Sequence, residues 1–153
     1  MRTFHTYSEV LSCLGQEVAV TDWITISQQQ INQFADATGD HQWIHVDAQR
    51  AAAGPFGAPI AHGFLTLSLL SQFFVQAFAL PGARMGVNYG LNRVRFPAPV
   101  PAGSRLRARL TLQQAEYIDD GMQMIWLVTV ECEGSERPVC VAESVFRSYG
   151  GPR

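Results

Sequence analysis

The sequence predicts an α+β domain in which a long central helix is wrapped by an antiparallel β-sheet. Three observations point there. Residues 64–80 make the longest mainly apolar run, and Thr66, Ser68, Ser71, Gln72 and Gln76 break it often enough to mark a buried helix, not a membrane span. After Gly86 the pattern changes to alternation in four successive segments. A chain of 153 residues with 47% apolar content can build one proper core. No repeat, linker or low-complexity tract divides residues 1–153, so the whole chain is read as a single domain.

The elements follow in order. Phe4, Tyr7, Val10, Leu11 and Leu14 have helical spacing over residues 3–14, and Gly15 ends that segment. Residues 17–26, EVAVTDWITI, are β-branched and roughly alternating, hence extended. Ser27 followed by Gln30 is a capping box opening a helix, with Ile31, Phe34 and Ala35 as its apolar stripe and Gly39 as a left-handed stop. Residues 40–61 carry Gly54, Pro55, Gly57 and Pro59 and read as a long irregular loop, the kind that often holds function. The central helix runs from His62 or Gly63 to Ala79, ahead of Pro81-Gly82, apolar nearly all round. Strands then cover 87–96, 104–117, 122–132 and 138–148, with Asp119-Asp120-Gly121 as a hairpin turn, and complete an antiparallel meander.

Composition removes several function classes. Net charge is −2 with no basic run, which argues against nucleic acid as a partner. All eleven positive residues are arginine, so Schiff-base and P-loop lysine chemistry are excluded. Cys13, Cys132 and Cys140 are scattered, without a CxxC pair, and read as buried thiols of a reducing compartment. The N-terminal residues lack the pattern of a signal peptide, and a cytoplasmic, non-membrane protein is expected.

The chemistry concentrates in TGDHQWIHVD, residues 38–47, where Asp40 and His45 stand five residues apart. On a continuous helix that spacing leaves the side chains about 140° apart. Gly39 lets the backbone bend, so the two can converge on a water, with Trp43 and Ile44 anchoring the loop. Read from spacing alone, the favoured reading is Asp40 as a turn-forming residue and His45 as a half-buried imidazole bonded to backbone. His41 and His45 are i,i+4 with Asp47 near, but a metal pair at that spacing needs a helix that Gly39 interrupts, so no metal is expected. No G-x-S-x-G elbow is present. In PIAHGFLTLSLLS, residues 59–71, Gly63 opens the helix, and its N–H is open to a ligand oxygen. Ser68 and Ser71 follow within the helix. Phe73, Phe74 and Phe78 either shape an acyl pocket or fill the core.

Together, FADATGDHQWIHVD and AHGFLTLSLLS resemble the signature of MaoC-like, R-specific enoyl-CoA hydratases. NYGLNRVRFPAPVPAGSRLR resembles their nodulation protein N-like branch. The resemblance spans about residues 17–147. It implies the hotdog fold and a hydratase/dehydratase that adds water to a trans-2-enoyl thioester to give an (R)-3-hydroxyacyl thioester. It implies Asp40 and His45 as the catalytic dyad, Gly63 as the binder of the thioester oxygen, and Ser71 as the serine that helps tie down the active-site loop. It further implies no cofactor beyond the coenzyme A of the substrate, an acyl thioester on coenzyme A or on acyl-carrier protein, and a homodimer. The family usually has Asn-Pro or similar between the two catalytic residues. Here Gln42-Trp43 stands there, and a bulky Trp bears on loop packing or substrate access. Arg93, Arg95 and the Arg105/Arg107/Arg109 face are candidates for coenzyme A phosphates, though an ordinary solvated strand face is favoured for most of them. The alternatives are a hotdog thioesterase and a non-catalytic acyl-thioester-binding protein.

Overall fold

The chain, described over residues 1–152 by a computed structural model, starts with strand β1 (Arg2–Thr3) and the single-turn helix α1 (Tyr7–Leu11). The expected helix over 3–14 is thus shorter. Thr6 starts it, its side chain accepting from the Glu9 N–H at 3.2 Å. Phe4 is still buried, ahead of the helix. The extended segment that follows divides into β2 (Glu17–Val20) and β3 (Ile24–Thr25). Thr21 causes the division: its hydroxyl accepts from the Ala108 N–H at 2.9 Å, so a side chain replaces the backbone acceptor of a regular ladder.

Helix α2 (Gln28–Thr38) keeps the predicted ends. The Ser27 side chain accepts from the Gln30 N–H, and Gly39 closes the helix at φ +79°, where a side chain would be strained. The stretch expected to be an irregular loop contains two short helices, α3 (Trp43–Val46) and α4 (Ala48–Ala52). Asp47 links them, its carboxylate accepting from the Arg50 N–H at 2.9 Å. The central helix is broken into α5 (Gly63–Ser68) and α6 (Leu70–Ala77) at Leu69, whose N–H is shared between the Leu65 and Leu67 carbonyls. It is also less uniformly buried than its sequence reads: Phe64 and Val75 are exposed. Phe78 then turns to extended backbone, and β4 (Phe78–Ala79) pairs with β1 in parallel.

The remaining strands are β5 (Met85–Arg95), β6 (Arg105–Ile118), β7 (Gly121–Cys132) and β8 (Cys140–Tyr149). With β2 and β3 they form an antiparallel sheet in the order β2-β6-β7-β8-β5, and β3 also pairs with β6. The meander therefore holds only for β6 to β8. The first long strand crosses over to lie beside the last and becomes a sheet edge. Alternation decides which face is inward. Leu106, Ala108, Leu110 and Leu112 on β6 and Met122, Met124, Trp126, Val128 and Val130 on β7 are fully buried. Phe73, Phe74 and Ala77 of α6 belong to the same apolar cluster, so all layers share one core. This is the α+β arrangement the sequence predicted. Among the described residues, no helix is long and apolar enough to cross a membrane.

Candidate active site

The site lies where the segment after α2 meets the start of α5. Because α2 stops at Thr38 and α3 begins only at Trp43, Asp40 sits in the bend and escapes the helical divergence from His45. A ring nitrogen of His45 and a carboxylate oxygen of Asp40 come within 4.8 Å of each other, with a ring nitrogen of His62 equally near. A water donating to two acceptors at ordinary hydrogen-bond length holds them about 4.4 Å apart. The two groups are therefore within reach of one bridging water.

The orientation of each ring is fixed by backbone. His45 Nδ1 is 2.7 Å from the Ile60 carbonyl oxygen. A carbonyl only accepts, so Nδ1 carries the proton and the neutral ring presents Nε2 as an acceptor. Gln28 Nε2 donates to the His45 carbonyl at 2.7 Å, and the Ile60 N–H donates to the Ile44 carbonyl at 2.9 Å. His45 is buried, while the Asp40 side chain is 54% exposed, so the gap is open on the aspartate side.

His62 was not singled out from the sequence. Its only local signal was the His-Gly that opens the central helix. It is 3% exposed, its Nε2 donates to the Asp40 backbone carbonyl at 2.9 Å, and its ring stacks on His45 with centroids 3.8 Å apart. His41 turns away, its Nε2 lying 2.8 Å from Asp36 Oδ1, and that bond raises the His41 pKa. The metal grouping weighed from the sequence, His41 with His45 and Asp47, does not assemble; Asp40, His45 and His62 have the spacing instead. Two of their four ring nitrogens are committed to carbonyls. The two rings are also stacked near-parallel, whereas a tetrahedral ion needs in-plane nitrogen lone pairs that converge on it at about 2.0–2.1 Å. The donor set suits a water better than an ion.

Gly63 is the first residue of α5 and lines a cleft of about 350 Å³ together with Thr66, Phe56 and Phe96. A Cβ there would lie 2.9 Å from the Phe96 ring, so close packing of that ring also requires the glycine. Ser71 lies further along, in α6. Its hydroxyl accepts from Asn88 Nδ2 at 3.0 Å, on the wall of a second cavity of about 400 Å³ that Phe74, Phe78 and Phe146 also line. Phe74 and Phe78 thus serve core and cavity together, while Phe73 is core only. Ser71 forms no side-chain bond to the 40–45 segment among the described residues.

Trp43 packs against Gly54, where a Cβ would come within 2.9 Å of the indole, and the Arg50 guanidinium covers its ring at 4.5 Å. It thus joins α3 to α4. The strand arginines are mostly engaged. Arg107 and Arg109 bond Glu131 at 2.6 and 2.7 Å, Arg109 also reaches Glu17, and Arg105 pairs with Glu133. The two arginine bonds hold the Glu131 carboxyl below its ordinary range. Arg93 and Arg95 form no ion pair among the described residues. Burial pushes the Cys140 thiol up to about 11, and all three cysteines are free and buried.

Comparison with known proteins agrees with this architecture. The family described as MaoC like domain matches residues 9–132. The chain is 54% identical to 3-hydroxyacyl-thioester dehydratase Z of Mycobacterium tuberculosis, over 96% of this chain and 98% of that one. It is 49% identical to Nodulation protein N of Rhizobium leguminosarum bv. viciae, over 88% of this chain and 86% of that one. Among solved structures, R-hydratase PhaJ1 from Pseudomonas aeruginosa in the unliganded form is 26% identical, with a TM-score of 0.70 over 92% of this chain and 82% of that one. The chain thus has the hotdog fold, belongs to the MaoC-like dehydratase family and is a lyase of the hydratase/dehydratase type.

Proposed function

We propose that the chain interconverts a trans-2-enoyl thioester and the (R)-3-hydroxyacyl thioester, with Asp40 and His45 activating the water. One observation carries the reading: a carboxylate oxygen of Asp40 and a ring nitrogen of His45 lie within 4.8 Å of each other, close enough to share one water, while His45 Nδ1 is spent on a carbonyl. Water is a poor nucleophile at neutral pH and needs a base. The dyad holds the water by both hydrogens and takes one proton as the oxygen attacks C3. Charge then gathers on the thioester oxygen, where the Gly63 N–H, unpaired within its own helix, donates to it. Protonation at C2 returns the proton and completes the addition. Dehydration is the same path reversed. No cofactor is required by these steps; coenzyme A or acyl-carrier protein enters as part of the substrate. The names of the relatives support the substrate class, since one is a 3-hydroxyacyl-thioester dehydratase and a structural neighbour an R-hydratase.

The cavity beside Ser71 is a candidate seat for part of the acyl chain, with the Ser71–Asn88 bond ordering its wall. Of the strand arginines weighed from the sequence, Arg93 and Arg95 are the two without an ion pair among the described residues and so the candidates to meet carrier phosphates. A homodimer is part of the same reading. Strand β5 is a long edge with Tyr89 and Leu91 exposed, beside exposed Val75 on α6, and such an edge calls for cover. Three buried free thiols accord with a cytoplasmic setting.

The test follows enoyl absorbance and free thiol in parallel on crotonyl-CoA, with product chirality determined. Wild-type protein is expected to consume the enoyl group without releasing thiol. Asp40→Asn and His45→Gln are expected to stay folded and lose rate by roughly a hundredfold or more. Thiol release would make the protein a thioesterase, and near-full activity in either variant would remove the dyad from the mechanism.

A further inference from the structure

We infer that His62 is a positioning residue for the dyad, the group that holds Asp40 at its working distance from His45. The inference rests on the hydratase reading above and adds a residue to it. Three contacts place His62 in that role. Its Nε2–H donates to the backbone carbonyl of Asp40 at 2.9 Å, and the same nitrogen is 4.0 Å from Asp40 Oδ2. Its ring is the surface on which the His45 imidazole lies, at 3.8 Å and 23° from parallel. It also meets Phe34 of α2 in a tilted contact, with centroids 4.9 Å apart. One side chain at the head of α5 thus touches the backbone of one dyad member, the ring of the other, and the helix between which and α3 the bend is strung.

The unused nitrogen strengthens the case. His62 Nδ1 is buried and has no hydrogen-bond partner among the described residues. Leaving a buried acceptor unpaired costs free energy, and an apolar ring of similar shape would avoid that cost. A histidine here is therefore a poor choice for packing alone. What a phenylalanine cannot supply is the donor to Asp40. The chain carries an orphaned nitrogen on one side of the ring to keep a donor on the other. The segment is tied at His41 by Asp36, but Asp40 itself has weaker bonds: its amide meets the Thr38 hydroxyl at only 3.4 Å, and Oδ1 accepts from Gln42 N–H at 3.3 Å. Both are at the weak end of hydrogen-bond length. His62 never reaches the reacting atoms in this account. It acts through Asp40 and His45, and a displacement of the order of 1 Å in such a group costs rate far more than binding.

The test compares His62→Phe, which keeps a buried ring, with His62→Gln, which restores an N–H donor on a flexible stem. Each is measured for Tm, kcat and KM with crotonyl-CoA, beside Asp40→Asn. Expected for His62→Phe is a Tm at or near wild type, kcat lower by roughly tenfold to a hundredfold and KM within about twofold. His62→Gln is expected to recover part of that kcat despite losing the stack. Independently of any variant, nitrogen chemical shifts of the wild-type His62 ring should report a proton on Nε2 and a bare Nδ1. Wild-type kcat in a folded His62→Phe would overturn the proposal, as would a proton on Nδ1 alone in the wild-type ring. A rate fall that only tracks the loss of Tm in both variants would also overturn it. Failure of the hydratase reading looks different: Asp40→Asn would then keep its activity, whatever His62 does. Should His62→Phe not fold, the glutamine variant and the ring shifts still decide.

Discussion

Replacing His45 by asparagine separates the ring nitrogens of that residue. Asparagine Nδ2 occupies nearly the place of imidazole Nδ1, so the donor to the Ile60 carbonyl at 2.7 Å is kept while Nε2 disappears. Alanine removes both. Ile60 is buried, so in His45→Ala its carbonyl oxygen loses its side-chain donor, at about 1–3 kcal/mol. The lost imidazole also leaves a void beside the stacked His62 ring, which adds to the cost. For a chain of this size each kcal/mol moves Tm by roughly 2–4 °C. His45→Ala is therefore expected to melt several degrees below His45→Asn, by about 2–12 °C from the carbonyl alone. Activity should not follow that order. Both lack the ring acceptor of the proposed dyad, and on that proposal both should lose roughly a hundredfold to ten-thousandfold in kcat. Calorimetric melting and the enoyl absorbance assay on the same preparations give both numbers. Equal Tm values for the two variants would refute the assigned bond to Ile60. Rapid turnover by the asparagine variant would refute Nε2 as the acceptor.

Two further outcomes follow from the surroundings of the dyad. The Asp36 bond raises the His41 pKa above 6.5, so its contribution to stability is complete below about 6.5 and is lost as pH rises through the folded-state value. Asp36→Asn should bring the His41 titration, followed by proton NMR, back towards 6.5, and an unmoved titration would show that the contact is not formed in solution. Gly54→Ala would drive a methyl to 2.9 Å from the Trp43 indole and 3.3 Å from the Ala51 carbonyl. Overpacking of that kind costs about 1–3 kcal/mol. Because α3 carries His45, kcat at a temperature well below melting should fall as well, and unchanged Tm and rate would mean that Trp43 yields freely.

What could be read from the sequence was local, and what could not was set by distant partners. The Ser27 cap and the Gly39 stop were legible because each is settled within a few residues, by a side chain on the Gln30 N–H and by a backbone that only glycine adopts cheaply. The inward row Leu106, Ala108, Leu110 was legible from alternation alone. Its outward arginines were visible too, but Glu131 and Glu17, which occupy two of them, come from other strands. The break at Leu69 has no glycine or proline to announce it. The place of β5 beside β8 is a choice of long-range pairing that no local pattern encodes. Spacing left Asp40 and His45 as either a pair or two unrelated polar residues. Their approach depends on where α2 ends and α3 begins, and on His62, which is 22 residues from Asp40 along the chain.

The way the fold spends its donors explains why the dyad stays available. Gln28 Nε2 goes to the His45 carbonyl, His45 Nδ1 to that of Ile60, the Ile60 N–H to that of Ile44, and His62 Nε2 to that of Asp40. Each bond satisfies a backbone oxygen in or beside the site, and the His62 donor, the one that lies near the Asp40 carboxylate, goes to the Asp40 carbonyl. Had the His62 N–H turned to the carboxylate instead of resting 4.0 Å from Oδ2, Asp40 would be occupied by an internal partner and a water would have to displace it. Directing these donors to main-chain carbonyls fixes the bend without quenching its two acceptors. The same bonds explain the uneven burial. Ring and backbone are tied inward, so His45 is enclosed, while the carboxylate, bonded only weakly through Gln42 N–H, is the part left facing outward. A water entering from that side meets the exposed oxygen first and the imidazole nitrogen second. That geometry suits the proposed dyad, whose water arrives from solvent and is then held between the two groups.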